Sequence, residues 1–563
     1  MIIGLDVGGT HTDVVLLGNR GIIREFKIPT NQSDLFETVL AGLSQIASGI
    51  DPKHIMRVVF STTLTTNAIV QEKTPPVAMI ISTGPGIDPE LFRVSDHYHV
   101  VAGSIDHRGR EIKPVNPDEI LAIAEQLVAE GVRYLGIVGK FATRNPSHEL
   151  KIKSLLESRF EKVFVGHETS GNLNFPRRIA TTYLNAAVYP IHKTFFEAVQ
   201  KSLGEKGLLT SIRILKPDGG NMKFDASINC PAQTILSGPA ASVMGALPYA
   251  SKSSESLVLD IGGTTTDMAI LINGVPLLDP LGVELGGFKT LIRAMDTHSI
   301  GLGGDSLVRV VNGQLSIGPE RRGKAMAFGG PTPTPTDALL VLGIMTEGDR
   351  QKAIDGLTPI AEALGTTVEK TAETIFNKIC EDILIAANQM LRRINSKPVY
   401  TVHELLEGYQ VKLSEILVLG GPAAYFAGKL ESLSKIPVRA VPNSKVANAI
   451  GAALARTTSE ITFFADTERG ICTAPEDNYQ KKIGKDFSAQ DAVREAFELL
   501  RQKALQMGAD PEHLEMEVTE NIQFNMVRGF YTTGRNIRTR VQIKPGLIHG
   551  YEMYAGLKNP ATN

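Results

Sequence analysis

Two segments of this chain carry the same set of groups for handling an anion. Asp6-Val7-Gly8-Gly9-Thr10-His11-Thr12-Asp13 and Asp260-Ile261-Gly262-Gly263-Thr264-Thr265-Thr266-Asp267 stand 254 residues apart. Paired glycines let backbone N–H groups approach anionic oxygens, and the hydroxyls of Thr10, Thr12, Thr264, Thr265 and Thr266 can add donors. Asp6 and Asp260, each at the end of an apolar run, have the chemistry to hold a hydrated Mg²⁺. A single Gly-Gly between two β-rich runs is more often a hairpin turn than a phosphate site. The pair is different, because seven of twelve positions are identical between windows 6–17 and 260–271. Both windows then run into an apolar strand, which generic turn chemistry does not reproduce. The repeat predicts two related lobes with one nucleotide between them.

A third glycine pair, Gly420-Gly421-Pro422-Ala423, closes the apolar run Glu415 to Leu419 and opens a small-residue helix. Its backbone could lie against an adenine ring, with a helix N-terminus aimed at the ligand; an ordinary strand-to-helix junction is the alternative. The run Pro442 to Leu454 reads as a small-residue helix for close packing, and a structural role is preferred there.

The elements that must position these groups alternate along the chain. Hairpin strands run through Phe26, a helix spans about Leu35 to Ala47, and a strand at Arg57–Phe60 opens into the hydroxyl-rich Ser61-Thr62-Thr63-Leu64-Thr65-Thr66-Asn67. Strands and helices then alternate to Val165, which argues an α/β fold. A long helix from Phe175 to Leu208 is expected to cross between lobes, and the strand Ser211–Leu215 to open the second lobe. These readings divide the chain into a first lobe with an inserted α/β segment (1–208), a second lobe with a Gly/Pro-rich insertion (209–458) and a small α+β appendage (459–563).

Composition narrows the partners. The chain has 563 residues, 21% of them charged, and a formal net charge of -2. That is too long for one core, and too evenly balanced for a nucleic-acid footprint or a membrane-surface patch. The amino terminus lacks the basic start of a signal peptide, and no apolar run reaches the ~18 residues of a membrane span. Cys230, Cys380 and Cys472 have no metal-ligand spacing, which fits a reducing cytoplasm. A cytoplasmic protein handling small molecules is expected.

Duplicated phosphate hairpins followed by a Gly-Gly adenosine turn resemble the actin-like ATPase superfamily, built from duplicated ribonuclease H-like lobes. Within it, Ser61 to Ala68, Thr234 to Gly245, Asp260 to Asp267, Asp296-Thr297-His298-Ser299-Ile300-Gly301 and Pro335-Thr336-Asp337-Ala338 resemble the hydantoinase/oxoprolinase A subunit, a relative of the acetone carboxylase beta subunit. The similarity spans roughly residues 1–457. It implies ATP and Mg²⁺ as cofactors, and ATP-dependent opening of a cyclic amide such as a hydantoin or 5-oxoproline, or carboxylation of a ketone. It also implies a separate B subunit, and a homo-oligomer is expected. The chain departs from the family at Gly323 to Gly330, which lacks the usual cysteine, and at Asp305, where relatives have a small residue.

In that picture Asp13 and Asp267 are candidates for orienting the attacking oxygen, with hairpin capping as the alternative; capping is preferred for Asp13, and the two roles are evenly matched for Asp267. His298 is a candidate general base or metal ligand and His167 a candidate substrate group, although a hydrogen-bonded structural histidine is the commoner case. Arg177-Arg178 and Arg321-Arg322 could pair with a substrate carboxylate, and solvation is the preferred expectation. A small-molecule kinase and an ATP-driven chaperone or reactivase are the competing functions.

Overall fold

The computed structural model describes residues 1–556 apart from positions 32, 209, 280 and 402–404. Strands β1 (Ile2–Val7), β2 (His11–Gly18), β3 (Gly21–Pro29) and β4 (Arg57–Thr62) come first, with helix α1 (Leu35–Ile46) between the last two. Strands β5 (Val77–Ser82), β6 (His97–Val100), β7 (Tyr134–Gly139) and β8 (Lys162–Val165) form a separate parallel layer in the order β8-β7-β5-β6. Helix α2 (Phe175–Glu205) follows.

Strands β9 (Ser211–Leu215) and β10 (Asn221–Lys223) then rejoin the first sheet, whose order is β10-β9-β4-β1-β2-β3. This corrects the expectation that Ser211–Leu215 opens the second lobe. The alternating apolar positions of β9 fit a half-covered sheet, and β9 pairs in parallel with β4, Ile212 opposite Val58 and Ile214 opposite Phe60. Helix α2 borders both halves, since Leu184 and Val188 pack with Val283, Ile292 and Ala294 of the second. It packs Phe196, Val199 and Leu203 on the first sheet, and Ile179, Ala186 and Tyr189 on the inserted layer.

The second half repeats the plan. Helix α3 (Ser237–Ala246) precedes β11 (Glu255–Ile261), β12 (Thr266–Ile272), β13 (Val275–Pro276) and β14 (Thr297–Ile300). Long helix α4 (Val368–Asn395) leads to β15 (Glu415–Leu419), β16 (Val438–Ala440) and helix α5 (Ala447–Leu454). The sheet order is β13-β12-β11-β15-β16, with β14 on β12. In both sheets a hairpin (β1-β2, β11-β12) lies antiparallel while the next strand inward (β4, β15) runs parallel to its first member. This is the actin-like ATPase fold.

Helices α3 and α5 fill the space between the two sheets. One core cluster joins Ile2, Val15 and Val59 of the first sheet to Val258, Ala269 and Leu417 of the second through Ala241, Val243, Ala449 and Ala452. The helices meet almost backbone to backbone. A Cβ on Gly451 would lie 2.2 Å from the Ala241 carbonyl oxygen, and one on Gly4 of β1 would lie 2.1 Å from that of Ala449. Only glycine permits such approaches.

After Ser459 the chain forms strands β17 (Glu460–Asp466), β18 (Ile471–Ala474) and β19 (Tyr479–Lys482), helix α6 (Ala489–Met507) and a hairpin of β20 (Met516–Arg528) and β21 (Tyr531–Ile543). Their sheet order is β19-β18-β17-β21-β20, and α6 covers one face with Ala492, Ala496, Leu500 and Ala504. No described helix is long and apolar enough to cross a membrane.

Candidate functional site between the two sheets

Strand alternation decides which face each aspartate takes. In β1, Ile3, Leu5 and Val7 pack into the outer core, so Asp6 points with Ile2 towards the inter-sheet helices. Asp13 stands directly opposite Asp6 in register, and Asp267 opposite Asp260. Directly opposed residues of an antiparallel pair share a face. Four carboxylates therefore face the space between the sheets.

A single side chain bridges the aspartates of the two hairpins. Asn448 of α5 donates its amide to Asp6 Oδ2 at 3.3 Å and to Asp260 Oδ2 at 2.9 Å. Ser242 of α3 donates its hydroxyl to the same oxygen of Asp260 at 2.6 Å. Neither residue stood out in the sequence, and Asn448 lies in the run read there as purely structural. The signal that could have found it is one amide in an otherwise apolar helix face.

Charge is crowded here. Burial, with the charges of Asp13 and Asp260, pushes the Asp6 carboxyl up to about 7. Burial, with the Asp260 charge, raises Asp267 to about 7 as well, against a hydrogen bond from Ser299. Asp13 rises to about 6 for the same reason of burial, although Lys27 Nζ sits 2.8 Å from its Oδ1. A site in which several carboxylates resist ionisation is short of positive charge.

The glycine turns are alike in detail. Gly8 N–H donates to His11 O at 3.1 Å, and Gly262 N–H donates to Thr265 O at 2.9 Å. The hydroxyls of Thr12 and Thr266 do not serve the turns, contrary to expectation. Both side chains are buried, Thr12 on Thr30 at 2.9 Å and Thr266 on the Leu302 carbonyl at 2.6 Å. As the first residues past each turn with inward side chains, they brace the hairpin from behind. Gly9, Thr10, Gly263, Thr264 and Thr265 remain at or near the surface of the cleft.

The Gly-Gly-Pro turn reaches the same point. Gly420 adopts φ +100°, and a Cβ there would lie 2.2 Å from Ile261 O and 2.8 Å from Asp260 Oδ1. A Cβ on Gly421 would meet nothing within 4 Å, so this backbone faces open space. Pro422 borders the Gly-rich tract, where Gly304 and Asp305 N–H groups bond the carbonyls of Gly262 and Gly263.

Arg321 is not simply solvated. Its guanidinium meets Asp305 Oδ2 at 2.9 Å, and that carboxylate lies against Gly263 of the second turn. Burial and the charges of Lys27 and Arg321 together lower the pKa of His11 on the first turn. Arg321 thus connects the two hairpins electrostatically, which sequence order hid. Arg177 bonds the carbonyls of Leu281 and Thr290, and buried Arg178 bonds those of Gly139 and Lys140. These arginines are structural.

His298 lies outside the constellation. It pairs with Met268 in register and shares its face of the second sheet, whereas Ser299 pairs with Asp267. Met268 belongs to the outer core with Leu259 and Ile270, so strand alternation turns His298 away from the carboxylates. His167 is structural: its ring bonds Glu149 Oε2 at 2.5 Å and Asn478 Oδ1 at 2.7 Å in a buried network. Among the described residues no group of three or more His, Cys, Asp or Glu is arranged to hold a metal ion.

The hydroxyl-rich loop and the motif from Thr234 lock to each other at the cleft floor. Thr62 N–H donates to Ser237 Oγ, which donates to Thr62 O, and Leu236 N–H donates to Thr66 Oγ1. Asp337 is buried and receives N–H bonds from Met326, Ala327 and Thr334. This family motif fastens the Pro-rich segment beneath the Gly-rich tract.

Comparison with known proteins bears on the motifs and the fold. Residues 2–160 match the model of the hydantoinase/oxoprolinase N-terminal region, and residues 178–461 match that of hydantoinase/oxoprolinase. Caprolactamase subunit alpha of Pseudomonas jessenii is 26% identical over 423 residues, covering 67% of this chain and 61% of its own length. The chain therefore spans less than two thirds of that relative. The solved ATP-dependent caprolactamase of Pseudomonas jessenii superposes with a TM-score of 0.70 at 19% identity, over 97% of this chain and 88% of the other. Nucleotide-free acetone carboxylase superposes at 0.69 and 17% identity, with the same coverages.

Proposed function

Because the chain belongs to the hydantoinase/oxoprolinase family, we propose that it is the ATP-binding subunit of an ATP-dependent hydrolase that opens a cyclic amide. The observation that carries this reading is the Asn448 bridge between Asp6 and Asp260, which brings the two copies of the repeat to one point. Such convergence has a use for a ligand that touches both hairpins, and a polyphosphate has that length and charge. The Gly8 and Gly262 N–H groups close the turns, and the turn backbone beyond them would bind the phosphate oxygens, with the hydroxyls of Thr10, Thr264 and Thr265 as further donors. The open backbone at Gly421 would lie beside the adenine.

Mg²⁺ fits the donor set. Burial raises the Asp6 and Asp267 carboxyls, so the cleft is short of positive charge, and the oxygens of Asp6 and Asp260 that share Asn448 are hard ligands of the kind this ion takes beside its waters. Asp6 and Asp260 would hold it, and it would supply neutralisation of phosphate charge. The chain's own groups do the rest. Arg321, released from Asp305 or shared with it, would face the terminal phosphate. Asp267, raised by burial and oriented by Ser299, is suited to accept the proton of the attacking oxygen. Asp13 is held by Lys27 and positions the first turn.

An amide carbonyl is a poor electrophile; transfer of the terminal phosphoryl group to its oxygen, with release of ADP, would make the carbon open to water. The C–N bond of the adduct would then break with a proton passing to the ring nitrogen. A second water would hydrolyse the remaining acyl phosphate to carboxylate and phosphate, which couples ring opening to ATP cleavage. A partner subunit would complete the substrate site, as the word subunit in the relative's name suggests. The test is phosphate release by the purified chain with its partner subunit, across lactams, hydantoins and 5-oxoproline, and with a ketone plus bicarbonate. Release that depends on one substrate class supports the reading. A stable phosphorylated product would instead identify a kinase, and turnover indifferent to every substrate would remove the amidase.

A further inference from the structure

At the opposite end of the first sheet from the carboxylates, a cavity of about 520 Å³ opens between Ile2 and Arg57 at the strand starts, the end of α5, and the segments 508–514 and 547–554. Its lining is strongly basic. Arg57 and Arg213, on β4 and β9, sit on one sheet face, and Lys223 of β10 lays its stem along Gly508. Arg57 donates through one terminal nitrogen to Ala453 O at 3.0 Å and Arg213 to Thr457 Oγ1 at 2.5 Å, yet the buried Nε of each has no hydrogen-bond partner. Arg456 is already answered by Glu515 at 2.8 Å. Asp510 is the acid whose charge reaches both Arg57 and Arg213, and its carboxylate is taken by His513 at 2.9 Å. At the mouth, the rings of His513 and His549 stack 4.1 Å apart.

Two guanidiniums on one sheet face, each with an unmet Nε–H, are costly unless a counter-charge arrives. Burial, then the Arg213 charge, lowers Arg57 to about 9, in keeping with that deficit. A guanidinium fork matches the paired oxygens of phosphate and carboxylate. We propose that this cavity binds a small oxyanion, a phosphate or a polycarboxylate, which clamps the C-terminal segments onto the base of the first sheet. The site is remote from the inter-sheet cleft and does not depend on the function assigned to that cleft.

The full chain would be titrated with inorganic phosphate, a phosphate monoester and citrate, following the imidazole proton resonances of His513 and His549, assigned through His549→Gln. The expected result is a saturable shift of both rings. It should weaken by about tenfold or more in Arg213→Gln and in Lys223→Gln, while binding of an ATP analogue at the cleft is unchanged. Tighter binding of citrate would identify a carboxylate ligand, and tighter binding of phosphate or its ester a phosphate ligand. No saturable shift with any of the three, or equal affinity in wild type and Lys223→Gln, would overturn the proposal. Lys223→Gln decides the matter should Arg213→Gln fail to fold, since the pairing of Lys223 with Arg213 in the sheet runs through the backbone, which this substitution leaves in place.

Discussion

At the scale of single residues, the cleft is defined by four facing carboxylates, of which Asp6, Asp13 and Asp267 resist ionisation, and by the amide that joins Asp6 to Asp260. Replacing Asp6 or Asp260 by Asn should reduce ATP turnover by about a hundredfold or more while far-UV circular dichroism stays unchanged; near-normal turnover in either variant would remove that carboxylate from the cation site. The same Asp6→Asn substitution relieves repulsion with Asp13 and Asp260, so the ligand-free protein should melt no lower than wild type at neutral pH. Asn448→Ala should cost about tenfold to a hundredfold in turnover, the usual range for a group that orients ligands without being one. It should do so with little change in circular dichroism. Equal turnover in wild type and Asn448→Ala would make the bridge a packing detail.

At the scale of elements, the position of Asn448 depends on how closely α5 packs. Gly451→Ala drives a methyl group towards the Ala241 carbonyl and the Gly245 N–H of α3. It should destabilise the protein by about 1–3 kcal/mol in urea unfolding and weaken ATP-analogue binding as α5 shifts. Unchanged stability would mean that the helices separate freely. Helix α2 supplies a pH dependence. His192 is buried against Phe196 and Phe224, with a ring nitrogen 2.7 Å from Ser227 Oγ, and burial pushes its pKa down to about 3. The unfolded imidazole takes a proton below its ordinary 6.5 while the folded one does not. Its contribution is therefore intact above that pH and falls by about 1.4 kcal/mol per unit as pH drops towards about 3. Between about pH 7 and pH 5 wild type should lose roughly 2 kcal/mol more than His192→Phe; parallel losses in urea titrations would show that His192 is not buried as a neutral ring.

At the scale of the molecule, two sheets share one core through α3 and α5, so a ligand touching both hairpins acts on the whole. Hydrogen exchange should show residues 7–13 and 261–267 gaining protection together when a non-hydrolysable ATP analogue and Mg²⁺ are added. Protection of one turn alone would break the clamp. A saturating analogue at about a hundred times its dissociation constant should add roughly 2.7 kcal/mol of stability, read as a higher melting temperature that Asp260→Asn abolishes.

The sequence by itself determined the repeat, the alternating elements and the family, because glycine turns, strand periodicity and motif order are local properties of the chain. It therefore singled out the aspartates, the glycine turns and the Gly420-Gly421 turn, which the structure brings to one cleft. What it could not decide was the facing of each side chain and the meeting of distant segments. Strand alternation turned His298 away and put Ser299 on Asp267, sheet pairing returned Ser211–Leu215 to the first half, and burial committed Thr12 and Thr266 to the interior. Only tertiary packing brought Asn448 between carboxylates that lie 254 residues apart in the chain. It did so because glycines at 4, 245 and 451 let two helices approach closely enough for one amide to reach both sheets.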